Sequence, residues 1–107
     1  MASFYLTHAA KADLKDIGRY TNQQWGAAQR DKYLTMLDGC FQDLAAKPGL
    51  GRDCSDIREG YHKYNAGSHV IFYRRVADDT IEVVRILHSR MDTERYLSKP
   101  GLSRWST

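Results

Sequence analysis

Near the end of the chain the stretch RILHSRMD, residues 85 to 92, gathers Arg85, His88, Arg90 and Asp92. Guanidinium groups grip phosphates and carboxylates, and an imidazole moves protons near neutral pH. Such a set could be a catalytic set, a binding surface, or only the solvated end of a strand. The preceding run TIEVV marks the stretch as the end of a strand. In a regular strand Arg85 shares its face with Ile81, Val83 and Leu87, so it needs a partner and reads as a structural ion pair. His88 falls on the opposite face with Val84 and Ile86. A lone histidine there is more often hydrogen-bonded structure than a proton shuttle, and Asp92 lies across a turn. Arg90 stands beyond the strand, where it can reach a partner without first being desolvated.

A second polar set, Tyr61, His62, Lys63 and Tyr64, interleaves aromatic and basic groups on one run. That composition suits stacking on exposed bases, and equally a sheet with one packed and one wet face. The histidines at 8, 62, 69 and 88 have no HExxH or comparable spacing, and Cys40 and Cys54 form neither a CxxC pair nor a four-ligand set. No metal and no cofactor are expected, and Cys40 reads as a small core residue. The phosphate-binding loop GxxxxGK[ST], the dinucleotide GxGxxG and the nucleophile elbow GxSxG are all missing from the sequence.

These groups need elements to hold them. The chain has 107 residues, 42% hydrophobic and 27% charged, which is enough for one domain with one core. Residues 1–97 are expected to form that domain, with 98–107 a flexible basic tail. SFYLT alternates as a half-buried strand, and Thr7 is placed to cap a helix over 8–25 with Ala10, Leu14, Ile17, Thr21 and Trp25 on one stripe. Gly26 is the expected C-terminal cap. A second helix over 27–47 carries Tyr33, Leu37, Cys40, Phe41 and Leu44 on one face, and Pro48-Gly49 stops it. Three runs rich in aromatic and β-branched residues follow, at 57–64, 68–76 and 80–88, separated by loops of hairpin length. The reading is an α+β fold: an N-terminal strand and helical hairpin packed on an antiparallel β-sheet, in the order β-α-α-β-β-β, with a short C-terminal helix over 93–97.

Sixteen Lys and Arg against thirteen Asp and Glu give a net charge of +3, which permits an acidic partner without demanding one. The excess lies on the second half, at Arg58, Lys63, Arg74, Arg75, Lys99 and Arg104. No apolar run approaches the roughly 20 residues of a membrane span, and the N-terminus lacks the pattern of a signal peptide, so a cytoplasmic location is expected.

The element order, together with AAKADLKDI, IREGYHKY, GSHVIFYR and RILHSRMD, resembles the ParE toxins of the RelE/ParE superfamily over residues 4 to 97. The most specific piece is RILHSRMD, since ParE-type sequences commonly carry Arg, two aliphatics, His, one variable residue, Arg, another variable residue and Asp there. The resemblance implies the toxin of a type II toxin–antitoxin module that is not an enzyme, inhibits DNA gyrase, and forms a hetero-oligomer with a ParD-like antitoxin that neutralises it.

On that reading His88, Arg90, Met91, Asp92 and Tyr96 engage the target, and Leu14, Arg58, Tyr61, Lys63 and Arg74 meet the antitoxin. The alternative is a RelE-like, ribosome-dependent messenger RNA endonuclease with Lys63, Arg74, Arg85, His88 and Arg90 as its cluster. Lys63 is nearly alone on its strand, and +3 is low for gripping ribosomal RNA, so direct nucleic-acid binding is not expected.

Overall fold

A computed structural model describes residues 2–90. Strand β1 (Ser3–Leu6) leads into helix α1 (His8–Trp25), helix α2 (Ala27–Ala46), a single 3₁₀ turn (Pro48–Leu50), and strands β2 (Arg52–Asp53), β3 (Tyr61–Ala66), β4 (His69–Ala77) and β5 (Thr80–His88). The α+β class and the helical hairpin on a sheet are as the sequence predicts. The expected helix over 93–97 and the tail over 98–107 lie outside the described residues.

Thr7 caps α1 by accepting a hydrogen bond from the Ala10 N–H, and Gly26 ends it at φ +93°, a backbone angle that suits glycine. Gly26 is also the whole link between the helices. Gly18 and Leu34, equidistant from Gly26, meet so closely that a Cβ on Gly18 would stand 3.3 Å from Leu34 Cδ1, as two antiparallel helices require. The sheet order is β1-β5-β4-β3-β2. The β3-β4-β5 meander is antiparallel, whereas β1 joins β5 in parallel, Ser3 facing Thr80 and Leu6 facing Val83.

The hairpin lays its apolar stripe on one face of the sheet, where Leu37, Phe41 and Leu44 are buried against Ile71, Tyr73, Ile81, Val83 and Ile86. Each such aliphatic or aromatic side chain contributes about 1.5–3 kcal/mol on leaving water. The opposite face is sheltered by the segment between β2 and β3: Cys54 packs on Val70, Phe72 and Leu87, with Ile57 and Tyr61 at its rim.

The structure departs from the sequence reading in four places. Residues 57–60 are turn rather than strand; β3 begins at Tyr61. A two-residue strand, β2, pairs with β3 and has too few residues to show an alternation. Burial on α1 stops at Thr21, because the helix outruns the layer beneath it, and Trp25 is 72% exposed. Finally β5 is not regular. Phe72 faces Arg85 while Tyr73 faces Val83, so Val84 is a bulge, and Ile86 rather than Leu87 joins Ile81 and Val83 in the helix-side core. The extra residue reverses the alternation beyond it, which is why a period-two reading misassigns the faces of Ile86 and Leu87.

Candidate functional site

The RILHSR segment takes its shape from an incomplete sheet edge. β1 accompanies β5 only as far as Val83, and α1 takes over from there. The Thr7 N–H donates to Val83 O at 3.1 Å, and the Thr7 hydroxyl donates to Val84 O at 2.7 Å. Farther along α1, Asp13 accepts the Ile86 N–H at 2.9 Å and the fork of Arg85, Nε at 2.8 Å and Nη2 at 2.9 Å. The carboxylate thus serves as the missing strand's acceptor and as the partner Arg85 needs. The two side chains are 20% and 12% exposed, a pairing largely withdrawn from water.

Past this clasp β5 ends at His88, which stands opposite His69 on β4, the two rings edge-on with centroids 5.4 Å apart. His88 Nδ1 accepts the Arg90 N–H at 3.1 Å, and the Ser89 N–H donates to Ser68 O at 2.9 Å, so the strand's exit is fixed to the β3–β4 turn. That turn is held in its place by Tyr33 of α2. Its hydroxyl lies 2.6 Å from His69 Nδ1 and accepts the Ser68 N–H at 3.0 Å. Gly67, at φ +60°, lets the phenol approach, since a Cβ there would stand 2.8 Å from the Tyr33 oxygen. Burial pushes the Tyr33 phenol above its ordinary pKa and His69 below its own, the latter helped by His88, so both are held neutral near pH 7. Arg90 is exposed beyond them.

Beside this strand end runs an open groove of about 560 Å³ between α1, the start of α2 and the ends of β4 and β5. Asp13, Asp16, Tyr20, Trp25, His69 and His88 are among its walls.

The residues assigned to the antitoxin divide. Tyr61 faces Arg74 across the β3–β4 ladder, Lys63 lies two residues along from Tyr61, and the Arg58 guanidinium sits 5.6 Å from the Tyr61 ring centroid. These four gather on the sheet face away from the helices, joined by Arg52, which faces Lys63. Leu14 packs instead in the helical layer on the other side. Arg52 escapes a sequence reading because its strand is two residues long.

The five residues of the endonuclease alternative are spread over β3, β4, β5 and the turn after it. Arg74 is paired with Glu82 at 2.6 Å and Arg85 with Asp13, Lys63 is separated from Arg85 by Phe72 of the intervening strand, and His88 and Arg90 stand at the far end of β5. Asp13 was the clue the sequence offered and the stripe reading passed over: an acid between Ala10 and Ile17 on a buried helix face must have a partner. Met91, Asp92 and Tyr96 lie outside the described residues. Among the described residues no set of three or more His, Cys, Asp or Glu could hold a metal ion, and no helix is long and apolar enough to cross a membrane.

A family model described as "ParE toxin of type II toxin-antitoxin system, parDE" matches residues 4–93. Toxin ParE1 of Mycobacterium tuberculosis is 47% identical over 98 residues, 91% of this chain and 100% of that protein. Toxin ParE1 of Caulobacter vibrioides is 37% identical over 97 residues, 91% and 99% of the two chains, and Toxin ParE of Escherichia coli 38% over 92 residues, 86% and 89%. The chain belongs to the ParE toxin family of type II toxin–antitoxin systems. A solved structure titled "Chromosomal ParDE TA system from P. aeruginosa" shares the fold with a TM-score of 0.69 at 20% identity, covering 82% of this chain and 96% of that one.

Proposed function

We propose that this toxin inhibits DNA gyrase through the end of β5 and the residues after it, and that a ParD-like antitoxin holds it inactive in a cytoplasmic hetero-oligomer. The observation that carries the target surface is the contrast between two arginines five residues apart. Arg85 is spent on Asp13 inside the fold, whereas Arg90 is exposed just past the His88 turn. An exposed cation is within reach of a partner, whereas one already committed to a buried carboxylate must first give up that pair. His88, Arg90, Met91, Asp92 and Tyr96 form the target-binding stretch on this reading. Arg58, Tyr61, Lys63 and Arg74, with Arg52 added, offer the antitoxin a basic and aromatic face that suits an acidic, apolar segment folding as it binds.

The test is a supercoiling assay with the purified chain beside a translating extract. Inhibited supercoiling, or gyrase trapped on cleaved DNA, with messenger RNA left intact is the expected result. Arg90→Ala combined with removal of residues 98–107 keeps the antitoxin complex and the melting temperature but loses gyrase inhibition. Codon-linked RNA cleavage abolished by His88→Ala would replace this reading with the endonuclease.

A further inference from the structure

We propose that the groove between α1, α2 and the end of β5 is a docking site for a segment of a partner protein that carries arginine or lysine among aliphatic side chains. Two observations meet there. The first is aromatic exposure: Trp25 and Tyr20 are 72% and 61% exposed, more than any other large hydrophobic residue among those described, and both line this one groove. Apolar rings left in water beside Ile17, Ile86 and Leu87 mark a surface that gains by being covered.

The second is charge. The protein is basic overall, yet among the described residues no lysine or arginine lines this groove, while Asp13 and Asp16 do. Asp13 is satisfied by Arg85, but among the described residues Asp16 has only an exposed contact with Arg19 at 3.5 Å, a pairing that contributes little in water. Neutral His69 adds no positive charge. Carboxylate and aromatic faces together are the surroundings that hold a cation by attraction to the ring quadrupole and to the acid at once. Arginine suits them best, since its flat guanidinium stacks on a ring while its stem covers apolar wall. An acidic segment is repelled here and drawn to the opposite side of the sheet, where Arg52, Arg58, Lys63 and Arg74 stand. The two faces therefore select partners of opposite charge, and this one stands whether or not the strand end engages gyrase.

The test uses the full chain with Trp105→Phe, leaving Trp25 as its one tryptophan, titrated with a blocked leucine–glutamine–arginine peptide and its glutamate counterpart. The arginine peptide shifts Trp25 emission and binds about tenfold or more tighter than the glutamate peptide, weakening as salt is raised. Tyr20→Ala and Asp16→Lys, both at exposed positions, each weaken it about fivefold while the melting temperature stays at the parent value. Equal binding of the two peptides, or arginine-peptide binding untouched by both substitutions, overturns the proposal. So does a doubling of mass by light scattering that Tyr20→Ala abolishes, which would assign the groove to a second copy. A rise in peptide affinity when Arg95, Lys99 and Arg104 are all replaced by glutamate would assign it to the chain's own C-terminal residues and overturn it equally.

Discussion

Replacing Arg85 by alanine takes two charge-assisted hydrogen bonds, at 2.8 and 2.9 Å, from a carboxylate that is 12% exposed. Asp13 keeps the Ile86 N–H, so it is under-solvated rather than stranded. Breaking a fully buried pair costs about 3–5 kcal/mol, and the residual exposure of this one brings the expected loss to ~1–3 kcal/mol. For a domain of this size that lowers the melting temperature by roughly 5–15 °C. Asp13→Ala does more harm, about 2–4 kcal/mol, because it removes the acceptor of a backbone N–H on the sheet edge as well as that of the guanidinium. The double variant loses less than the sum of the two by ~1–2 kcal/mol, since the second substitution removes a partner that is already gone. Urea unfolding of the four proteins measures all three quantities. Arg85→Ala within about 0.5 kcal/mol of the parent, or strict additivity in the cycle, would refute the clasp.

Three further outcomes follow from named contacts. His69 has a folded pKa below its ordinary 6.5, so the unfolded chain binds more protons; stability is lost as pH falls through 6.5 and levels off below the folded value, and His69→Asn flattens that part of a urea-midpoint profile. Tyr73 donates to Pro48 O at 2.6 Å and accepts the Gly51 N–H at 2.9 Å, so Tyr73→Phe costs about 1–2 kcal/mol in thermal unfolding. Cys54, buried and pushed up to about 11, stays a thiol at neutral pH; mass spectrometry after iodoacetamide treatment should show it modified only as fast as the protein opens, and rapid labelling of the native chain would contradict its place in the core.

The helices and the meander were legible in the sequence because their signals are local: the stripe of Leu37, Phe41 and Leu44, the cap at Thr7, the stop at Gly26, and the aromatic and β-branched content of residues 69–77 and 80–88. So was the need of Arg85 for a partner. What stayed hidden depends on distance. That the partner is Asp13, 72 positions away, and that β1 docks in parallel on β5 are decided by tertiary packing and not by any spacing. The bulge at Val84 is equally invisible, since TIEVVRILH has no glycine or proline to announce a break in alternation. The groove was missed because Trp25 fits a helical stripe and periodicity cannot tell where the layer underneath ends.

The parallel pairing of β1 with β5 also sets an order of events during synthesis. Ser3 and Thr80, joined by their hydroxyls at 3.1 Å, are 77 positions apart, so the first strand emerges with no edge to join and must wait until the last strand exists. The helical hairpin can form early from neighbouring residues, but its stripe stays uncovered until the meander closes over it. A nascent chain stopped before β5 therefore lacks its own edge, the acceptor-capped Ile86, and the strand end that Arg90 follows. A chain ended there leaves the apolar stripe of the helical hairpin without the β5 part of its cover, Ile81, Val83 and Ile86, and is expected to be cut rapidly by a protease in a limited-digestion assay.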